Sequence, residues 1–359
     1  MLRITAAIAT ACLTCIFAAS SADARAHYAL TKLVLHLPYF YTPQPVAITD
    51  EGISVGSIVA LGYAEGYTGS GSNITTYRFC SDEGFDQKTS SGTTTISGIS
   101  PYSLGEFIAG ECSSSYGYVY DVSTNTFVDL YEPVASNGFN DVAGVSAGGI
   151  VVGSFPDQND IDLYHGFYFE SGNYLTFDPP GSLGTSPLGI NLGNTVFGYY
   201  VNSDNNGVRT ESGFLLDEFG DYTILNVPGA GVTEVTGLNG HNQAVGYSGL
   251  SVTGPFVGFS WQNNTFTTFP LSSSASQATA INENGIVVGT WVDTLNITHG
   301  FVWNPAAVSV ITVYSPSGGS LYITGINNAN QITGYYNAVV KSHETQIGFT
   351  GTCKGKGCF

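Results

Sequence analysis

Seven times along the chain the same short pattern returns: a small residue, Ile or Leu, then Asn, Ser or Thr, a Gly- or Asn-rich turn, an apolar run and a closing Gly. The stretches are Ala47 to Gly56, Gly98 to Gly110, Gly144 to Gly153, Gly189 to Gly198, Gly237 to Gly246, Ala280 to Gly289 and Gly325 to Gly334. The closing glycines stand 54, 43, 45, 48, 43 and 45 residues apart. A fixed period of this length belongs to a solenoid, a propeller or an array, because one unit cannot bury its apolar face alone.

The interior of a unit chooses among these. In the copy from Gln277 to Pro316, Ala278 to Ile281 reads as a strand and Asn282-Glu283-Asn284-Gly285 as a turn, since Asn and Gly tolerate positive φ. Ile286 to Trp291 is β-branched and aromatic, a second strand. Gly300-Phe301-Val302-Trp303 begins a third, and Val308 to Tyr314 is a fourth, stopped by Pro316. Four short antiparallel strands per unit predict an all-β fold, a seven-bladed β-propeller of four-stranded antiparallel blades. No segment has the long 3.6-residue period of a helical repeat. The last copy ends after its third strand at Gly348-Phe349-Thr350, and Leu33 to Pro38 resembles an orphan fourth strand. The N-terminal strand is therefore expected to complete the last blade, hiding edges that would invite aggregation. The first unit is irregular: it shows no Gly-Phe third strand, and Thr75 to Phe79 is expected to replace it.

Residues 1–24 read as a signal peptide: Arg3, an uncharged apolar run from Ile4 to Ala19, and the small-x-small site Ala22-Asp23-Ala24. That run is short for a membrane span. Residues 27–351 then form one propeller domain and 352–359 a Cys-containing tail. The expected location is secreted, periplasmic or extracellular, with a monomer as the working unit. A formal net charge of −18 with nine Lys plus Arg argues against nucleic acid and against docking on anionic lipid. Cys80, Cys112, Cys353 and Cys358 follow the signal, an even number for an oxidising compartment. The pairing favoured is Cys80–Cys112 and Cys353–Cys358. Metal binding by these thiols is the weaker alternative, since neither pair has zinc-site spacing.

The recurrent Gly-Ile-Asn-x-x-Gly/Asn-x-Ile/Val-Val/Thr-Gly-Tyr block with a downstream Gly-Phe resembles the HAF extracellular-repeat family of exported bacterial proteins. Gly325 to Tyr335 and Ala280 to Gly289 carry it best. The His-Ala-Phe signature appears only as His-Gly-Phe, at His165 and His299. The resemblance implies export and repeats, and no activity.

In such blades the loops between strands two and three share one face with the connections between blades. Variable loops on a rigid scaffold carry binding, so the site is expected on that face. Two of these loops are rich in oxygen ligands: Asp157, Asn159, Asp160 and Asp162, and Asn202, Asp204, Asn205 and Asn206. Calcium takes six to eight oxygens, which makes Asp157, Asp160 and Asp162, or Asn202, Asp204 and Asn206, the candidate metal ligands. The second loop begins like an EF-hand, but Gly213 stands where its bidentate Glu belongs. The plainer reading is a solvated loop tip. His165 and His299 are read as residues at the start of a strand bonded to backbone. No residue set carries a catalytic pattern; adjacent carboxylates such as Asp217-Glu218 read as solvated. The expectation is a non-catalytic propeller that binds an envelope protein or a polysaccharide. The alternatives are an extracellular hydrolase or lyase, and a structural surface or matrix component.

Overall fold

The computed structural model describes residues 25–34, 42–60, 63–77, 94–100, 107–112, 116–130, 141–157, 160, 163–203, 207–269, 271, 275–340 and 342–359. The expected signal peptide lies outside them. β1 (His27–Lys32) comes first, followed by a series of four-strand meanders. They are β2–β5 (Thr42–Ile48, Ser54–Ala60, Tyr63–Ser70, Asn73–Tyr77), β6–β9 (Thr94–Ile99, Phe107–Cys112, Tyr116–Asp121, Thr126–Leu130) and β10–β13 (Asp141–Val145, Val151–Pro156, Tyr164–Glu170, Asn173–Phe177). Next come β14–β17 (Gly184–Ile190, Val196–Ser203, Arg209–Leu216, Tyr222–Leu225), β18–β21 (Val232–Leu238, Ala244–Gly249, Phe256–Gln262, Thr265–Thr268) and β22–β25 (Ser276–Ile281, Val287–Val292, Thr298–Asn304, Ser309–Val313). The chain ends with β26–β28 (Leu321–Ile326, Ile332–Val340, His343–Lys354). Each meander is an antiparallel sheet, and a single parallel pairing of Glu211 with Val232 joins β14–β17 to β18–β21. The fold is all-β, built of four-stranded antiparallel sheets.

The repeated glycines have steric causes. The first strand of every meander carries a β-bulge just before its small residue, as between Val235 and Gly237 or Ala278 and Ala280. The bulge brings a first-strand carbonyl against the closing glycine of the second strand. A Cβ on Gly246 would collide with the Glu234 carbonyl oxygen, and one on Gly289 with that of Gln277. Most glycines of the Gly-aromatic pairs instead make room for a neighbouring meander, a Cβ on Gly300 lying 2.6 Å from Ile323 Cδ1, whereas Gly166 makes room for Phe177 of its own meander. The aromatic that follows is buried every time, at Tyr67, Tyr118, Phe167, Phe214, Phe259, Phe301 and Phe349. The expectation for the first unit is corrected here. Its third strand is β4 with Gly66-Tyr67, and Thr75 to Tyr77 belongs to the fourth. Tyr in place of Phe disguised the pair.

The N-terminal strand does complete the last sheet, but from a different place. β1 pairs antiparallel with β28, with Tyr28 opposite Cys353 and Lys32 opposite Phe349. The strand therefore begins at His27, six residues before Leu33. The long β28 offers its C-terminal half as partner. Leu33 continues the pairing through its N–H to the Gly348 carbonyl (2.9 Å) and is buried against Ile58 and Tyr67. The Tyr28 hydroxyl donates to the Asn330 carbonyl (3.0 Å). Cys353 and Cys358 are disulfide-bonded, Cα to Cα 5.8 Å, as expected. Cys112 is also in a disulfide; Cys80 lies outside the described residues.

The conserved place of the motif Asn within this chain's own repeats is a seam between sheets. Asn191 Nδ2 donates to the Asn239 carbonyl (3.0 Å), Asn239 to that of Asn282 (3.0 Å), Asn282 to that of Asn327 (2.8 Å), and Asn327 to that of Thr49 (2.7 Å). The last of these ties the end of the chain to its beginning, where β2 also packs on β26 and β27. Thr49, Ser100 and Ser146 hold the same place in the earlier meanders and are as deeply buried. They cap their own turns, as Ser146 Oγ does by accepting from Ile150 N–H (3.2 Å), but have no amide to reach across.

The small residues converge where the first strands meet. Gly144 approaches Gly189 so closely that an added Cβ would lie 3.4 Å from its Cα, and Gly325 is similarly placed against Ala47. The space left there is about 230 Å³ and is lined mainly by Gly, Ala, Ile and Leu. Chemistry has to be sought off this line.

Candidate functional site

The strongest site stands where first, second and third strands begin or end on the face carrying the second-to-third-strand loops. A cavity of about 870 Å³ there spans the meanders β10–β13, β14–β17 and β18–β21. Its polar lining includes Asp141 on β10, Ser186 on β14, Tyr199 on β15, and Arg209 and Glu211 on β16. Val208, Leu250 and Val252 supply an apolar rim and are all more than half exposed.

Local strand geometry sets these side chains. Glu234 occupies the first-strand position three before the small residue, opposite Tyr247. Ser186 and Tyr199 are the same pair one meander earlier. The Tyr247 hydroxyl donates to Glu234 Oε2 at 2.5 Å. Glu234 is also hydrogen-bonded to Glu211, the residue that faces the cavity. Burial, reinforced by the Glu211 charge, pushes the Glu234 carboxyl up to about 7 despite the Tyr247 hydrogen bond. Burial also raises Glu211, but the Glu234 hydrogen bond and the Arg209 charge pull it back. The proton therefore resides on Glu234, which donates it to Glu211. Tyr199 is raised by burial and by the two glutamates, and Tyr247 more strongly by burial and Glu234.

A second carboxyl pair adjoins the first. Glu111 Oε1 accepts from the Val142 N–H (3.1 Å), and burial with the Asp141 charge pushes it up to about 7. Asp141 is raised by burial. Against these acids the sequence offers one cation: Arg209 is the sole Lys or Arg between Lys88 and Lys341.

The arrangement can accept and donate hydrogen bonds on one floor, Glu211 and Arg209 beside Ser186 and Tyr199. It has the wrong spacing for glycosidic cleavage by this pair, since two hydrogen-bonded carboxyls are nearer than the ~5–9.5 Å that such acid and base pairs need.

The expected loop residues fare differently. Asp157 is committed to His165: its Oδ2 lies 3.0 Å from Nε2, and its Oδ1 accepts from the Asp160 N–H. Asn202 Nδ2 donates to Ser212 Oγ (3.1 Å). Asn159, Asp162, Asp204 and Asn206 lie outside the described residues. Among the described residues no group of three or more His, Cys, Asp or Glu could hold a metal ion.

The reading of the two His-Gly-Phe histidines as backbone-bonded is corrected. His165 bridges two carboxylates, Nε2 to Asp157 and Nδ1 to Asp178 at 2.8 Å. Burial lowers its pKa, but the two aspartates outweigh burial and hold it above the usual value. His299 bonds Asp293 through Nε2 at 2.9 Å and packs against Trp291 and Tyr314. Its hydrogen bond leads the causes that lower the Asp293 carboxyl. Both aspartates sit in the loop preceding the histidine's strand, so each pair anchors a loop. Trp303 is buried and packs against Phe269.

The cavity lies on the face that the sequence reading favoured, but that reading did not single out Glu211, Glu234, Tyr199, Tyr247 or Arg209. A signal was present. Aligned on their small residues, the units carry Gln44, Thr95, Asp141, Ser186, Glu234, Gln277 and Tyr322 in one column. The two acids stand out there against neutral residues.

No protein-family model matches the chain, and no curated protein sequence matches it. Among solved structures it is similar to the β-propeller domain of the Trilobed protease from Pyrococcus furiosus, described as having an open velcro topology. The TM-score is 0.57 at 11% identity, over 86% of this chain and 97% of that one. It is also similar to an oligogalacturonate lyase from Vibrio parahaemolyticus, with TM-score 0.55 and 12% identity over 90% and 96% of the two chains. At these identities the likeness is one of fold, and it defines the chain as a β-propeller scaffold. No described helix is long and apolar enough to cross a membrane.

Proposed function

We propose that this chain is an exported, ring-closed propeller of seven blades, of the HAF extracellular-repeat type, that binds an envelope polysaccharide in the cavity above Glu211. The blade count rests on a bulged first strand in every meander and on the Asn327 to Thr49 hydrogen bond between chain end and chain start. The binding reading rests on one observation, the Glu211–Glu234–Tyr247 chain beneath a cavity flanked by Tyr199, Ser186 and Arg209. Sugar hydroxyls both donate and accept, and the floor offers both roles together with phenol rings. A protonated Glu234 lets Glu211 serve as a fixed acceptor without two buried charges facing each other.

Calorimetric titration of neutral oligosaccharides at about pH 6, for the parent and Glu211→Gln, tests this. Binding that weakens about tenfold in the variant is expected, one charged hydrogen bond being worth about 1.5–3 kcal/mol. Absence of saccharide binding, or variant affinity equal to the parent's, overturns it. A second reading has one observation in its favour: two carboxyls sharing one proton are also the acid-hydrolase arrangement. Peptide cleavage at mildly acid pH that disappears in both Glu211→Gln and Glu234→Gln would put that reading in place of binding.

A further inference from the structure

On another side of the molecule the outer parts of two neighbouring meanders stand apart. The hairpin β12–β13 and the hairpin β16–β17 bound a groove of about 1100 Å³. Deeper in, this seam is closed: Phe177 packs on Tyr168 (ring centroids 4.8 Å) and on Phe214 (6.3 Å). Further out Leu175 on one wall stays 66% exposed, and Phe219, at the tip of the opposite hairpin, is 83% exposed. Phe219 is held there firmly, because Asp217 Oδ1 accepts from the N–H groups of both Phe219 and Asp221 (3.0 and 2.9 Å).

The charge on the groove is of one sign. Glu170 on the first hairpin and Asp217 and Glu218 on the second border it, and among the described residues no lysine or arginine lines it. The chain has little to offer in compensation, since Arg209 lines the other cavity. Both walls end in outer strands: among the described residues β13 pairs only with β12, and β17 only with β16. Each presents an unpaired backbone edge along the groove mouth, to which an extended chain can add.

We propose that this groove docks a basic, extended polypeptide segment, whose Lys or Arg side chains meet Glu170, Asp217 and Glu218 and whose apolar residues lie on Leu175 and Phe219. Aliphatic stems of Lys and Arg suit such walls while their charged ends stay at the carboxylates. The proposal is independent of saccharide binding above Glu211.

A fluorescent ten-residue peptide of alternating lysine and leucine, and its glutamate–leucine counterpart, would be titrated into the full chain. The lysine peptide should bind, more weakly as salt is raised, and the glutamate peptide should not. The double variant Glu170→Gln/Glu218→Gln should weaken binding roughly fivefold, the effect of two rim charges, and Phe219→Ser about tenfold. Glu234→Gln, in the other site, should leave it unchanged. Both test surfaces are exposed, so the variants stay folded. Variant affinities within about twofold of the parent, equal binding of the glutamate peptide, or a neutral oligosaccharide that occupies the groove in the peptide's place would each overturn the proposal.

Discussion

Asn282 allows the seam between sheets to be weighed separately from the turn that carries it. Its amide nitrogen donates to the Asn327 carbonyl and to Asn330 Oδ1, both at 2.8 Å. Its side-chain Oδ1 accepts from Asn284 N–H (3.1 Å) and Ile286 N–H (2.9 Å). The residue is fully buried. Alanine removes all four bonds and leaves the Ile286 N–H buried without an acceptor, which costs about 1–3 kcal/mol by itself. With the remaining bonds the total comes to about 3–5 kcal/mol. Serine should behave differently, because this protein already uses it at Ser146, whose Oγ accepts from Gly148 and Ile150 N–H at 3.2 Å. Asn282→Ser keeps the turn and loses only the reach to the next sheet. The Asn327 carbonyl still accepts from the Asn330 N–H (3.0 Å), so the loss should be about 1–2 kcal/mol. Urea unfolding followed by tryptophan fluorescence measures both. Equal losses for serine and alanine, or losses under about 0.5 kcal/mol for either, would refute this division.

Glu234 holds its proton to about 7, above the unfolded carboxyl value, so the folded state binds more protons than the unfolded across that interval. Stability from this group is complete below the unfolded value and is lost as pH rises toward 7; Glu234→Gln should flatten the fall, as read by melting curves from pH 4 to 8. Removing residues through Lys32 deletes β1 and exposes the surface that Tyr28 covers, so the domain should lose at least about 3 kcal/mol in urea. Tyr28→Phe, which loses only the bond to Asn330, should cost about 0.5–1.5 kcal/mol. A truncated chain that unfolds at the parent's midpoint would discredit the role of β1.

The strand pattern was legible because its causes are local: Asn-Gly turns, β-branched runs and glycines recur at each unit. The purpose of the glycines was not, since the atoms they avoid come from a bulge or from the next sheet, as at Gly246 and Gly300. The likeness of Leu33 to Pro38 to a fourth strand misplaced the N-terminal strand, because its partner β28 lies over 300 residues away and fixes the register from outside the local pattern. Glu211 and Glu234 are 23 residues apart on different sheets, so no spacing rule joins them. The first-strand column of the repeats singles out Glu234, together with Asp141, but does not reach Glu211. The two histidines share a tripeptide, yet their aspartate partners lie in loops of unequal length, eight and six residues upstream.

The asparagine chain runs from Asn191 onward and finishes at Thr49, while Ser100 and Ser146 break it on the opposite flank. The junction of the two chain ends, held by the Asn327 bond to Thr49, is thus the reinforced one. Under pulling or mild heat the first crack should open among β2 to β13, and amide hydrogens there should exchange soonest. The region holding both chain ends would stay shut until the rest has gone.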